Sequence, residues 1–292
     1  MEGMSMFKTI DTLEDINGKR VLVRVDLNVP TQGGKISDDT RLRATKATIL
    51  DLVEKGAIVL LCAHFGRPKG QIVPDMSLSP ITGPLSTILG QDVHFIPNCM
   101  GEDAKTAVGQ LQPGSVAVLE NTRFHTGEEA NSPEFARALA DLADIYINDA
   151  FSAAHRAHAS TEGITHFLPT YAGRALEAEL NALEAALGQP KHPVAAVVGG
   201  AKVSTKLDVL THLVEKVDHL IIGGGMANTF LAAKGVNVGK SLCEHDLKDT
   251  ALHILERAQA ANCTVHLPYD VVVAQEFKAN ATARTVNVHE VA

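Results

Sequence analysis

The sequence predicts an α/β protein built as two doubly wound, Rossmann-like parallel-sheet lobes joined by a helix, with the second lobe cut short. Three observations predict this. Apolar runs rich in Val, Ile and Leu recur at 21–25, 57–62, 116–119, 145–147, 194–198 and 220–222, the composition of strands buried on both faces. Segments of helical spacing separate them, and strand alternating with helix implies a parallel sheet. Between the fourth and fifth runs, Leu176, Leu180, Leu183 and Leu187 follow a helical period that stops at Gly188, with Pro190 and Pro193 beyond.

In chain order, the first run is followed by a helical pattern at Leu42, Thr45, Ile49, Leu52 and Val53. Ser132-Pro133 opens another helix, carrying Phe135, Leu139 and Leu142. The division expected is a first domain over 1–172, a connecting helix over 173–189 and a partial second domain over 190–292. Residues 264–274 read as one further strand, and 227–234 as a helix. No internal repeat or low-complexity stretch is present.

At 292 residues and 45% apolar content, the chain has room for two ordinary domains of ~100–200 residues. Residues 1–10 lack the basic start and apolar run of a signal peptide. No apolar stretch approaches the ~20 residues of a membrane helix, so a cytoplasmic address is expected. Cys62, Cys99, Cys243 and Cys263 stand far apart and read as reduced core residues, with neither zinc nor redox spacing. A formal charge of −8 and the lack of a basic arm argue against nucleic acid or a membrane surface as partner.

In open parallel sheets, ligands bind beyond the carboxyl ends of the strands. Here those ends read Asp26-Leu27-Asn28-Val29-Pro30, His64-Phe65-Gly66-Arg67-Pro68, Glu120-Asn121-Thr122-Arg123-Phe124-His125 and Asn148-Asp149-Ala150-Phe151, the last followed by His155-Arg156-Ala157-His158. Arg67, Arg123 and Arg156, with Arg41 near the start of the first helix, read together as an arginine-lined pocket. Guanidinium forks match carboxylate and phosphate oxygens, so a small phosphorylated acid fits best. Asp26 and Asn28 are either turn-capping residues or hydrogen-bond partners of substrate hydroxyls. His64 and His155 are either general bases or structural histidines.

In the second lobe a strand runs into Gly199-Gly200-Ala201-Lys202-Val203-Ser204-Thr205-Lys206. A helix is expected to begin at once, favouring a phosphate, with Lys202 and Lys206 one turn apart on one face. The next strand ends in Gly223-Gly224-Gly225-Met226, where missing side chains leave room for a flat base or for close packing. The Walker-like stretch 235–241 is one residue too short and follows a helix rather than a strand, so no P-loop is expected there.

These six ordered motifs, with Arg24 and Val25 opening the first, resemble phosphoglycerate kinases nearly end to end. The resemblance implies reversible phosphoryl transfer from 1,3-bisphosphoglycerate to MgADP, giving 3-phosphoglycerate and MgATP in glycolysis. It implies that Asp26, Asn28, Arg41, His64, Arg67, Arg123 and Arg156 hold the acid substrate, and that Arg41 and Lys202 stabilise the transferring phosphoryl group. Gly199, Gly200, Lys202, Lys206, Gly223 and Gly224 would form the nucleotide side, with Mg²⁺ carried on the nucleotide. A monomer that closes about the connecting helix is expected from the same family. In that family the nucleotide lobe continues into further strands and a Gly-Gly-Gly-Asp-Thr run that helps place the magnesium, beyond what these 292 residues contain. No metal ligand is therefore assigned, apolar surface is expected to be exposed on the second lobe, and a 3-phosphoglycerate-binding fragment of weak or no activity is the alternative reading.

Overall fold

The computed structural model describes residues 7–32, 35–188, 190–276 and 278–290. Residues 1–6, 189 and 291–292, which figure in the leader, connector and chain-end readings above, lie outside the described residues, as does the side chain of Leu187.

The chain divides into two compact units, one up to Ala182 and one from Leu183 onward. In the first, six strands form one parallel sheet: β1 (Arg20–Arg24), β2 (Ile58–Cys62), β3 (Val93–Ile96), β4 (Val116–Leu119), β5 (Ile145–Asn148) and β6 (Thr170–Ala172), in the order β3-β4-β2-β1-β5-β6. Its two faces are both covered, as a parallel sheet requires. Val21 and Val23 pack on one side with Leu42, Ile49 and Leu52, and Leu22 packs on the other with Phe135, Leu139 and Tyr146. The helices concerned are α1 (Thr40–Ala44), α2 (Lys46–Glu54), α3 (Thr82–Leu89), α4 (Gly101–Gly109) and α5 (Pro133–Ala140). Ser132 caps α5 by accepting a bond from the Phe135 amide, and Pro133 occupies the first turn, where its missing N–H costs nothing.

The connecting helix α6 spans Arg174–Leu187. Its first turn is held by the first unit: Asp149 Oδ1 accepts the amides of Ala175 and Leu176 at 2.8 and 3.2 Å, and Thr48 Oγ1 accepts that of Arg174. The Arg174 side chain pairs with Asp11, Asp51 and Glu177.

The second unit has a three-stranded parallel sheet, β7 (Ala195–Gly199), β8 (His219–Gly223) and β9 (Thr264–His266), ordered β9-β8-β7. The helices α7 (Leu207–Leu213), α8 (Gly224–Ala233) and α9 (Lys248–Ala260) bury the side carrying Val198, Leu220 and Ile222. Val197 and Ile221, on the opposite side, are 75% and 39% exposed, as expected of a lobe whose sheet is covered on one face. The single strand expected over 264–274 is instead two. Pro268, which has no N–H to donate, lies between β9 and β10 (Asp270–Ala274), and β10 pairs antiparallel with β11 (Ala283–Asn287) in a separate ribbon.

Cys62, Cys99 and Cys263 are buried free thiols and Cys243 is half-buried; burial pushes the Cys62 thiol up to about 12. Among the described residues no helix is long and apolar enough to cross a membrane.

Candidate functional site

The four strands whose ends carry the distinctive motifs, β4, β2, β1 and β5, are consecutive neighbours in the sheet. Their carboxyl ends therefore form one continuous edge. From β1 the chain steps to β2 on one side, while β5 arrives on the other, so the crevice between β1 and β5 is the point where strand order reverses, the usual ligand position in such sheets. Asp26 and Ser152 meet across it, Ser152 Oγ donating to Asp26 Oδ2 at 2.6 Å.

Asp26 is the hub of this edge. Its Oδ1 also accepts the Asn28 amide at 3.0 Å and Arg41 Nη1 at 3.1 Å. Burial works to raise the Asp26 carboxyl, yet the bonds from Ser152 and Asn28 and the charge of Arg41 together hold it below its ordinary value. Asn28 Oδ1 accepts the Gly66 amide at 3.0 Å, joining the loop after β1 to the loop after β2. Arg123 is buried and donates to Gly66 O at 2.9 Å, with Glu129 3.2 Å from its Nε. Burial, and the like charge of Arg156 against the attraction of Glu129, hold the Arg123 guanidinium below its usual range.

Arg67 and Arg156 are exposed, and neither side chain makes a hydrogen bond or ion pair among the described residues. Arg156 is near enough to act on both Arg123 and His64. Burial, with Arg24, Arg123 and Arg156 against the opposing pull of Asp26, pushes the His64 imidazole down to about 3. The structure thus gathers Asp26, Asn28, Arg41, His64, Arg123 and Arg156 around one crevice, with Arg67 beside the Gly66 that two of them bond. Clustered guanidinium groups with few carboxylate partners favour a bound polyanion. His155 is exposed and makes none of these contacts.

Three residues acquire roles that strand-end reading passed over. Arg24, at the last position of β1, is fully buried and its Nη2 lies 2.8 Å from His64 Nδ1; a charge inside the otherwise apolar run 21–25 was the signal available. Asn121 is fully buried and braces the loop after β2, bonding the backbone of Phe65 at both N–H and C=O and also Met76 O. Glu120 accepts from Ser77 and from the Leu78 amide.

In the second unit the geometry corrects one expectation. Lys202 and Lys206 are not on one helix face: the loop after β7 runs to Lys206 and α7 starts only at Leu207. Val203 is drawn into the core, Ser204 bonds Glu244 through both its amide and hydroxyl, and Thr205 Oγ1 bonds Lys202 O. These side-chain bonds outcompete helical pairing. The strand, glycine, helix arrangement occurs instead at the second run, where Gly223 ends β8 and α8 begins at Gly224.

The two glycine runs divide by role. Gly199 and Gly223 pair in register on β7 and β8. A Cβ at Gly223 would meet nothing within 4 Å, and one at Gly199 nothing nearer than 3.9 Å. Gly224 is close-packed: its φ is +65° and a Cβ there would fall 2.8 Å from Gly200 O. Gly200 in turn lies under Met226 and the Lys206 side chain, with the Met226 amide bonding Gly200 O at 3.0 Å. Packing therefore divides the glycines: a Cβ would have space at Gly199 and Gly223, whereas Gly200 and Gly224 are close-packed. Lys202 is exposed and Lys206 half-buried.

Comparison with known proteins agrees with this geometry. The sequence matches the family model described as phosphoglycerate kinase over residues 10–292. The phosphoglycerate kinase of Rhizorhabdus wittichii is 68% identical over 286 residues, covering 98% of this chain and 72% of that protein. That of Zymomonas mobilis is 65% identical with the same coverage, 98% and 72%. The solved phosphoglycerate kinase from Coxiella burnetii superposes with a TM-score of 0.84 at 41% identity, over 98% of this chain and 72% of that one. Motifs, strand order and whole-chain similarity agree, and the chain belongs to the phosphoglycerate kinase family, phosphotransferases with a carboxyl group as acceptor.

Proposed function

We propose that the first unit binds 3-phosphoglycerate, or the 3-phosphoglycerate half of 1,3-bisphosphoglycerate, in the crevice at the ends of β1, β2, β4 and β5. The observation that carries this is the convergence of Arg41, Arg123 and Arg156 with His64 on Asp26 and Asn28. Arg67, Arg123 and Arg156 supply charge for the phosphate and carboxylate, and Asp26 takes the substrate hydroxyl. His64 donates a neutral N–H.

The second unit takes ADP or ATP at exposed Gly199 and half-buried Gly223, where a Cβ would meet nothing nearer than 3.9 Å, with Gly200 and Gly224 shaping the loop and Lys202 and Lys206 facing the phosphates. Arg41 and Lys202 stabilise the phosphoryl group in flight. Direct transfer suits this equipment, because phosphoryl transfer depends on in-line positioning and charge stabilisation more than on covalent chemistry. Closure about α6 would bring the two substrates together and exclude water, which would otherwise compete as acceptor.

Magnesium would arrive on the nucleotide phosphates and neutralise charge there. Mg²⁺ keeps several waters and needs only one or two carboxylates beside substrate phosphates. A cytoplasmic monomer is the form proposed.

A calorimetric titration with 3-phosphoglycerate, paired with an assay of 1,3-bisphosphoglycerate formation from ATP and 3-phosphoglycerate, tests the reading. Saturable binding abolished in Arg156→Ala and Arg123→Ala supports the site, and binding indifferent to both would end it. Binding without turnover would assign this 292-residue chain to substrate capture.

A further inference from the structure

We propose that Glu128 and Ser160 are positioning residues for the reaction, acting through buried Arg24 to fix His64 as its Nε2–H tautomer and to hold that N–H for an anionic substrate oxygen. The proposal rests on the reading of His64 as a substrate ligand given above.

The direction of every bond in the chain follows from chemistry. A guanidinium has donors only. Arg24 Nη2 is 2.8 Å from His64 Nδ1, so Nδ1 must present its lone pair and the ring proton must sit on Nε2. The same guanidinium donates through Nε to Ser160 Oγ at 3.0 Å and through Nη1 to Val25 O. Ser160 has one hydroxyl proton, and it goes to Glu128 Oε1 at 2.5 Å, while the Ser160 amide donates to Glu128 Oε2 at 3.0 Å. Tyr146 on β5 anchors Ser160 from below by donating to its carbonyl at 2.8 Å. Glu128, Ser160 and Arg24 are each fully buried, so this is a closed relay in which no member has water as an alternative partner.

The arrangement solves a specific electrostatic problem. His64 feels the charges of Arg24, Arg123 and Arg156, opposed by that of Asp26. A protonated imidazole would add a further positive charge to the cluster. A neutral ring whose Nδ1 is occupied adds a directional donor instead, and no protein group among the described residues takes its Nε2–H. Arg24 itself would be an uncompensated buried cation without the Glu128 carboxylate behind Ser160, and a side chain 4.0 Å from that carboxylate, His158, is the nearest competitor for it. Neither Glu128 nor Ser160 is placed to touch substrate directly.

The test is long-range ¹H–¹⁵N spectroscopy of the whole chain labelled at histidine, with His64 assigned by His64→Gln. The expected wild-type result is a bare Nδ1 and protonated Nε2, unchanged from pH 5 to 8. A wild-type ring that carries its proton on Nδ1, or titrates in that range, overturns the proposal without recourse to any variant. In Glu128→Gln and Ser160→Ala, the His64 signals should move toward a tautomer mixture and 3-phosphoglycerate affinity should fall roughly tenfold, with Ser160→Thr restoring both. Unchanged spectra in both variants overturn the relay. If His64→Gln leaves 3-phosphoglycerate affinity intact, the underlying reading of His64 as a ligand fails, and with it the functional half of the proposal.

Discussion

Arg41 Nη1 lies 3.0 Å from Asp26 Oδ2 and donates to Asn28 O at 2.9 Å, so the arginine assigned to the transferring phosphoryl group is held by the loop assigned to the substrate. The arginine side chain is 49% exposed, and a pair of that exposure contributes only ~0–1 kcal/mol to stability. Its value is positional. Asp26→Asn should therefore leave the melting temperature within a few degrees of wild type while weakening 3-phosphoglycerate binding roughly tenfold, about 1.4 kcal/mol. Calorimetry and thermal melts on the same samples check this. A large drop in melting temperature with binding intact would make the Asp26–Arg41 pair a structural feature only.

Asp149 ties the base of α6 to the first unit, and its environment makes a pH prediction. Burial raises its carboxyl from 3.8 to about 6, outweighing the nearby Thr48 hydroxyl and the amides of Leu176 and Ala175, and Oδ2 has no hydrogen-bond partner. A raised folded-state value means that the folded chain binds the proton more tightly than the unfolded chain. This contribution to stability is therefore fully present below pH ~4 and is lost as pH rises through ~6, a change of roughly 3 kcal/mol at most. Asp149→Asn keeps an acceptor for the two helix amides and cannot ionise. The difference in unfolding free energy, wild type minus variant, should fall between pH 4 and 7, and a flat or rising difference would show that folding does not raise the Asp149 carboxyl.

Much of this was legible in the sequence where burial is complete. Val21, Leu22 and Val23, or Val116 to Leu119, have no exposed member, so their runs are uninterrupted and readable. The edge strand β3 was not, because exposed His94 breaks the run. The loop from Gly200 to Lys206 was misread as helix because what opposes a helix there is Glu244, forty residues on by sequence separation. Arg24 was passed over for the same reason: its meaning depends on Ser160, 136 residues away. Strand-end motifs announce where a site lies, whereas the buried groups that orient it become visible only with their partners.

The glycine runs give paired substitutions with opposite signatures. Gly224→Ala forces an L side chain to φ +65° and sets a Cβ 2.8 Å from Gly200 O, a backbone atom that cannot swing aside. The left-handed conformation alone costs ~1–2 kcal/mol, and the clash adds to it, so the melting temperature of the second unit should drop. Gly223→Ala meets nothing within 4 Å and has an ordinary φ of −124°. It should fold normally and yet weaken ADP binding, because the new methyl occupies the space assigned to the nucleotide. Nucleotide titrations with parallel melts separate the two, and normal ADP affinity in Gly223→Ala would move the nucleotide site elsewhere.

The uncovered face of the second sheet makes the last prediction. Parallel strands are ordinarily covered on both faces, yet Val197 is 75% exposed and Ile221 39% exposed, while Val198 and Ile222, one residue along each strand, are buried under α8 and α9. Alternation of side chains across a strand places the two exposed residues on the same side, and β7 and β8 pair them directly, Val197 opposite Ile221. The result is a contiguous apolar strip rather than scattered exposed residues, and strips of that kind bind environment-sensitive dyes. The wild-type chain should bind such a dye at neutral pH while its melting transition is intact, and Val197→Thr with Ile221→Thr should reduce the signal several-fold. Thr keeps the branched shape that suits a strand, so circular dichroism should not change. Dye binding that persists in the double variant would place the accessible apolar surface elsewhere, with Tyr269 and Val272, 76% and 73% exposed, the next residues to replace.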